Sequence, residues 1–349
     1  MGTYNDWTDL LPFFSGFING SITIQAEDDN MQSTASSVVP PVSPQPTPVF
    51  GIFTLQSDAL SQDSLESLES LDATFFVSTA FPADSADSTH PTDTVLLSSD
   101  SVFFYVHRSV LQVASDHAFQ PAISTSSPSD ISRDHMTAVS ESATVLNIVL
   151  HTIYGRSCLS YTPSFEDLAA AVSALVDNDI SLEEYISSET PLGIHILTYA
   201  PRRALEIYIL AGHYRLNDLA VTASCHLLSC NLSSITDEMA VNMGPIYLRR
   251  LFTLHTERLE SLKRILMPPP HPHPATSTCK YGEQSKVVRA WTLATAYLIW
   301  DSRVDLSVNN IRSVITPMEE QLKCPLCREI LRSRTNTLVV QWNSIKGTI

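Results

Sequence analysis

The 349-residue chain has no run of about twenty uncharged apolar residues, the length that a membrane-spanning helix needs. Its first residues, MGTYNDWTDLL, carry acids where a secretory signal would carry Lys or Arg. Asp6 stands where a myristoylation signal requires Ser or Thr. We therefore expect no membrane partner and a cytoplasmic or nuclear location.

Glycine is scarce, at 10 residues, and the motifs GxSxG, GxGxxG and the P-loop are missing. These absences predict that the chain is not an enzyme, with neither catalytic nor cofactor-binding residues. His107, beside Arg108, invites interpretation as a catalytic base. A buried histidine bonded to the backbone is the favoured interpretation, because no nucleophile motif accompanies it.

Basic residues are missing from the first 107 positions, which contain fourteen Asp and Glu. All 21 Lys and Arg follow, beside the other 23 of the 37 acids, so the acidic excess lies in the N-terminal part. No basic stripe suited to phosphates stands out, and direct nucleic-acid binding is not expected.

Residues 1–91 are rich in Ser, Thr, Pro, Asp and Glu and are predicted to be a disordered acidic tail. Residues 38–48, VVPPVSPQPTP, favour an extended polyproline conformation. Residues 6–14 mix acids with large apolar side chains, which predicts a docking segment that folds on binding or, alternatively, a tail that packs on its own domain. The candidate docking residues are Trp7, Leu10, Leu11 and Phe14.

Folded structure is predicted to begin near Thr92. Residues 93–100 and 102–107 predict a hairpin, and the apolar positions after Arg108 follow a helical period. A polar loop at 120–135 precedes a brief strand and then several helix pairs, with one further strand expected at Ile194–Tyr199.

The run D-x-V-L-L-S-S-D from Asp93, followed by V-x-F-x-V-H-R-x-V-L-x-x-A-S from Val102, resembles the BTB (POZ) domain. The resemblance is closest to the BTB proteins of mushroom-forming fungi. Residues 146–155 are similar to the family's helix with a closing "WIY"-type motif, and residues 205–220 to the helical pair that follows. The resemblance covers about residues 92–230.

This resemblance implies an α+β fold, with a BTB/POZ-like small β-sheet capped by an α-helical bundle and followed by an all-α C-terminal region. It also implies a homodimer formed through the first helix and strand, and in some relatives recruitment of a cullin scaffold in ubiquitin ligation. The residues assigned to the BTB core and dimer element are Val95, Leu96, Phe104, Val106, His107, Leu111 and Ala114.

The leading functional hypothesis is therefore a protein-protein interaction module, a BTB-type adaptor or scaffold that homodimerises and binds protein partners. This hypothesis includes a role as the substrate adaptor of a ubiquitin ligase. The alternative is a transcription-linked regulator that uses the acidic-aromatic N-terminal segment without contacting DNA.

Six cysteines without a secretion signal favour reduced thiols or a metal site over disulfides. Cys324 and Cys327 form a C-x-x-C pair that can chelate zinc at a helix N-terminus. Cys279 is the natural third ligand, and His271 or His273 the fourth. Because a single C-x-x-C pair is only a moderate signal, unligated surface thiols are the favoured interpretation of these cysteines, and one structural zinc in the helical region 231–349 is the alternative. Cys225 and Cys230 are interpreted as core or half-buried thiols.

Overall fold

The computed structural model describes residues 50–51, 76–83, 92–115, 119, 136–301 and 303–349. Most of the predicted tail, its polyproline segment and the loop at 120–135 lie outside the described residues. So do the four docking residues: Trp7, Leu10, Leu11 and Phe14.

The chain divides into two compact units. The described residues of the first come from Val42–Leu227 and Ser233–Leu248. Those of the second come from Leu228–Leu232 and Arg249–Ile349. Among the described residues, no helix combines the length and apolar character needed to span a membrane.

The described strands of the first unit form a five-stranded mixed sheet in the order β1-β2-β4-β3-β5. Its strands are β1 (Phe50–Gly51), β2 (Phe76–Ser78), β3 (Thr94–Leu97), β4 (Val102–Val106) and β5 (Met136–Ala138). Strands β3 and β4 pair antiparallel, with Leu96 opposite Phe104, which confirms the hairpin. The prediction that folded structure begins near Thr92 is wrong, because β2 pairs with β4 in parallel.

Helices make up most of the rest of the first unit. They are α1 (Arg108–Ala114), α2 (Ala143–Ile153), α3 (Phe165–Asp177), α4 (Leu182–Tyr185), α5 (Pro191–Thr198), α6 (Ala200–His213), α7 (Asn217–Ser224) and α8 (Asp237–Met243). Several begin at caps visible in the sequence: the Ser164 side chain accepts from the Asp167 N–H at 3.1 Å, and Asp167 accepts from the Ser164 N–H in return.

The strand expected at Ile194–Tyr199 is wrong, since these residues lie in α5 and at its end. Thr190 caps this helix by accepting the Gly193 N–H at 3.4 Å, and Pro191 occupies its first turn. Gly193 is required by packing, because a Cβ there would lie 1.7 Å from the Ser187 carbonyl oxygen. The periodicity of a short apolar run does not distinguish a strand from a helix. Here the cap at Thr190 and the proline at 191 are the local features that indicate a helix.

The turn of the β3–β4 hairpin is fixed to the start of α2. Ser98 Oγ donates to Asp100 Oδ1 at 2.6 Å and accepts the Val102 N–H at 3.0 Å. The same Asp100 oxygen accepts the Ala143 N–H at 2.8 Å. A carboxylate at a helix N-terminus satisfies a backbone donor that the helix leaves unpaired, so the sheet and α2 are held in one arrangement.

Three of the predicted core residues, Leu96, Phe104 and Val106, are fully buried in the sheet. Leu111 of α1 is also buried, whereas Val95, His107 and Ala114 are half-buried. An α+β fold is therefore confirmed, while its assignment to the BTB family stays a prediction.

The second unit is helical in its described part. It contains most of α9 (Pro245–Leu266) and all of α10 (Tyr281–Trp300), α11 (Val308–Gln321) and α12 (Pro325–Asn343). Two tryptophans anchor its core: Trp291 Nε1 donates to the Leu266 carbonyl at 3.1 Å, and Trp342 Nε1 to the Leu306 carbonyl at 2.7 Å. Both rings are almost fully buried among aliphatic side chains, and the indole N–H of each, its one polar group, is hydrogen-bonded.

Replacing Phe104 by Ala tests the core of the sheet. Because this side chain is fully buried, we expect the substitution to lower the free energy of unfolding of the first unit by about 3–5 kcal/mol. Urea titration followed by hydrogen exchange in β3 and β4 measures the loss. Phe103→Ala, at a half-buried neighbouring position, is the control and should cost clearly less; equal losses would contradict this placement of the core.

Candidate metal centre

Four of the predicted ligands converge in the second unit. The donor atoms of His273, Cys279, Cys324 and Cys327 all lie within 4.8 Å of one another. His271, the other histidine considered, is exposed and is not part of this cluster. The four residues can therefore hold one metal ion.

The distances within the cluster resemble the edges of a coordination tetrahedron. The sulfur atoms of Cys279 and Cys327 are 3.6 Å apart. His273 Nε2 lies 3.5 Å from the Cys324 sulfur and 3.3 Å from the Cys327 sulfur. Tetrahedral zinc, with Zn–S bonds of about 2.3 Å and a Zn–N bond of about 2.0 Å, needs about 3.8 Å between sulfurs and about 3.5 Å between sulfur and nitrogen. The spacing is therefore compatible with zinc.

The C-x-x-C pair is positioned by the start of α12. Cys324 is the N-cap residue, Pro325 occupies the first turn, and Cys327 follows in the same turn. Cys324 is half-buried, whereas Cys327 is 5% exposed. The start of the helix therefore brings the two sulfurs together, with that of Cys324 nearer the surface and that of Cys327 inside the unit.

Cys279 is held by a tight turn just before α10. The Thr276 N–H donates to the Cys279 carbonyl at 3.0 Å, and the Cys279 N–H donates to Thr276 Oγ1 at the same distance. The thiol is fully buried and packs against Val287 and Cys327. The turn thus places the third sulfur under the start of α12.

His273 is oriented with Nε2 toward the sulfurs. Its Nδ1 lies 2.7 Å from the Pro274 carbonyl oxygen, so this nitrogen carries the proton and donates it. Nε2 of the neutral ring is then left with a lone pair suited to a metal. Gln284 Nε2 donates to the His273 carbonyl at 2.9 Å and fixes the backbone behind the ring.

Gln284 was not predicted to be part of the site. It lies in the first turn of α10 and is 7% exposed. The sequence does contain an indication of its role: Gln284 stands one helical turn before Val287 and two before Trp291, on the face that packs into the core. A polar side chain on such a face needs a hydrogen-bond partner.

The three thiols differ in acidity because their surroundings differ. The backbone N–H of Cys327 donates to the Cys324 sulfur and, with that of Leu326, lowers the pKa of Cys324 to about 7. Burial, together with the neighbouring sulfurs, raises the pKa of Cys327 to about 12. Burial also raises the pKa of Cys279. Three thiolates at this spacing repel one another, and a divalent cation is the group that stabilises them all together.

Two other pairs of functional groups lie in the first unit. His107 is half-buried rather than buried as predicted, and its Nδ1 lies 3.0 Å from the Tyr154 hydroxyl oxygen. Cys158 Sγ lies 3.5 Å from His195 Nδ1, and both residues are 4% exposed. Burial raises the pKa of Cys158 to about 11, so this thiol stays protonated and unreactive.

The remaining cysteines do not join the metal cluster. Cys230 is half-buried, as predicted, but Cys225 is exposed, and its thiol donates to the Thr222 carbonyl at 3.1 Å. The interpretation of Cys225 as a core thiol is therefore wrong. Its apolar neighbours in sequence gave the misleading indication, because the residue lies on the outer side of the short helical turn at Cys225–Leu227.

A scan against protein-family models and searches of the curated proteins and the solved structures find no match to this chain. The resemblance to the BTB family accordingly stays a prediction that depends on the residues alone.

The order of thiol reactivity tests the description of the cluster. In metal-free protein, we expect iodoacetamide to alkylate Cys324 first, with a rate that rises through a midpoint near pH 7, as its pKa of about 7 requires. Cys327, with a pKa of about 12, should react far more slowly at pH 8. Peptide mass spectrometry measures both rates. Equal rates at the two sulfurs would contradict the arrangement.

Proposed function

We propose that the chain is a protein-interaction protein of the BTB type whose C-terminal helical unit is stapled by one structural Zn²⁺. The ion is held by three thiolates and one imidazole: Cys279, Cys324, Cys327 and His273. The observation that carries the zinc proposal is the convergence of these four donors at tetrahedral spacing.

Zinc suits this donor set better than other common ions. Thiolate sulfur is too soft a ligand for Mg²⁺ or Ca²⁺, which take oxygen. Four protein donors complete a tetrahedron, so no position remains for a water or a substrate. The role is therefore structural rather than catalytic.

The ion would join three parts of the second unit that are far apart in sequence. His273 belongs to the proline-rich segment after α9, which has no helix or strand of its own. Cys279 precedes α10, and the C-x-x-C pair begins α12. Four metal bonds at one point fix the entry of these segments into the helical core, as metal binding commonly does when it is coupled to folding.

The interaction role has support in the first unit. The hairpin and α1 carry the residues that resemble the BTB core, and α1 leaves Val113 85% exposed. Cys158 and His195, a thiol and an imidazole that come together in this unit, are closed off from solvent. Val113 is therefore a position at which a substitution can test whether α1 lies in an interface.

Metal content tests the zinc proposal. Full-length protein purified without chelators should contain about one zinc per chain, as a closed four-ligand site requires. Cys324→Ser and Cys279→Ser should each lower the zinc content clearly below that of the wild type, because each removes one of the four ligands of a closed structural site. The matched control is Cys225→Ser, an exposed thiol outside the cluster, which should retain the metal. Zinc retained in both cluster variants, or absent from the wild type, would overturn the proposal.

Oligomeric state tests the interaction proposal. Light scattering after gel filtration should give twice the mass of the chain, and Val113→Glu should give the monomer by placing a charge in the α1 interface. The control is Val241→Glu on α8, where the side chain is 79% exposed and lies outside the hairpin and α1. A monomer at every concentration of the wild type would exclude the dimer.

A further inference from the structure

A second candidate site on the helical unit is a pocket between α9 and residues 345–349, well away in sequence from the metal ligands. It has a volume of about 430 Å³. Its lining combines apolar side chains with four cationic side chains and one acidic side chain, Glu257. One of the cations, Lys346, already donates from Nζ to the Ile349 main-chain oxygen at 2.6 Å. The cationic residues are Arg249, Arg250, Arg258 and Lys346. A site of this kind suits a ligand that is both acidic and apolar.

Arg258 provides the strongest evidence for an anionic ligand. Its side chain is buried, at 9% exposure, and its guanidinium lies 4.4 Å from the centre of the Trp342 ring. Nε donates to the Val304 carbonyl at 3.1 Å, and Nη1 donates to the carbonyls of residues 345 and 346. All these acceptors are neutral, and within the described part of the chain no carboxylate forms an ion pair with it. A buried cation is costly unless an anion compensates it.

The net charge of the surrounding unit also favours an anionic ligand. Residues 249–349 contain fifteen Lys and Arg and only eight Asp and Glu, a net charge of +7. The first 107 residues have no basic residue at all and fourteen acids. Within one chain, therefore, a cationic helical unit accompanies an anionic N-terminal part, and the two attract each other.

From this complementarity we infer that the acidic-aromatic segment Asp6–Phe14 of the same chain docks in this pocket. Asp6 and Asp9 supply negative charge for Arg249 and Arg258, and Trp7 with its leucine neighbours supplies apolar surface for Leu254 and Ile345. Residues 15–49 separate the segment from β1, and at about 3.3 Å per extended residue these 35 residues can span roughly 115 Å. A protein partner of similar chemistry would have to displace the segment first.

Hydrogen exchange on the full-length protein tests the docking. We expect amides of residues 6–14 to exchange at least about tenfold more slowly than in an unstructured peptide, because docking hides them from water. Arg249→Glu should abolish this protection; it is chosen because Arg249 is exposed, whereas replacing Arg258 would disturb the core. Arg328→Glu, an exposed residue on α12 outside the pocket, is the control with the same charge change and should keep the protection.

A reciprocal variant keeps the test decisive. Asp6→Lys with Asp9→Lys should also lose protection, and combining it with Arg249→Glu should restore part of it. Exchange in α10–α12 should stay unchanged in every variant, which separates loss of docking from unfolding.

Three outcomes would overturn the inference. One is fast exchange of residues 6–14 in the wild type, and another is protection that survives Arg249→Glu. Protection that falls on dilution would assign the pocket to a second copy of the chain instead. If the segment exchanges fast while a labelled oligonucleotide binds in an Arg249-dependent and salt-sensitive way, the pocket belongs to a nucleic acid.

Discussion

The convergence of three cysteine sulfurs and one imidazole nitrogen on a single point is the constraint around which the second unit is built. The sulfurs of Cys279 and Cys327 are 3.6 Å apart, and an imidazole nitrogen stands within 3.5 Å of two of the sulfurs. Such a cluster is stable as three thiols or as a metal complex, and its tetrahedral spacing favours the metal. The start of α12 directs two sulfurs to the same point, the tight turn at Thr276–Cys279 directs the third, and the hydrogen bond to the Pro274 carbonyl orients the imidazole.

The helical unit and the N-terminal part of the chain carry opposite net charges. The helical unit is cationic, and its buried Arg258 lies between Trp342 and neutral carbonyls. The first 107 residues, in contrast, contain fourteen acids and no Lys or Arg. The first unit is organised differently. There Asp100 ties a hairpin to the start of α2, and the apolar residues of the sheet are buried beneath the helices. The two units therefore depend on different physical interactions for their order.

Much of this arrangement could be predicted from the sequence where local chemistry is strong. Capping residues such as Ser142 and Ser164 mark α2 and α3, and the C-x-x-C pair marks a metal site at a helix start. The strand β2 was missed because its three residues pair with β1 and β4, which are both distant in sequence. The choice of His273 over His271, and the role of Gln284, depend on how the proline-rich segment packs against α10, which no local pattern encodes. The helix at residues 194–198, by contrast, begins at local signals, the Thr190 cap and Pro191, which the prediction of a strand overlooked.

X-ray absorption at the zinc edge tests directly whether Cys279, Cys324, Cys327 and His273 bind one zinc ion, because it reports the ligands and their distances in the full-length protein. We expect a first shell of three sulfurs at about 2.3 Å and one nitrogen at about 2.0 Å. His273→Cys should convert this shell to four sulfurs without loss of the ion. A shell of oxygen and nitrogen alone, or one unchanged by His273→Cys, would contradict the ligand set.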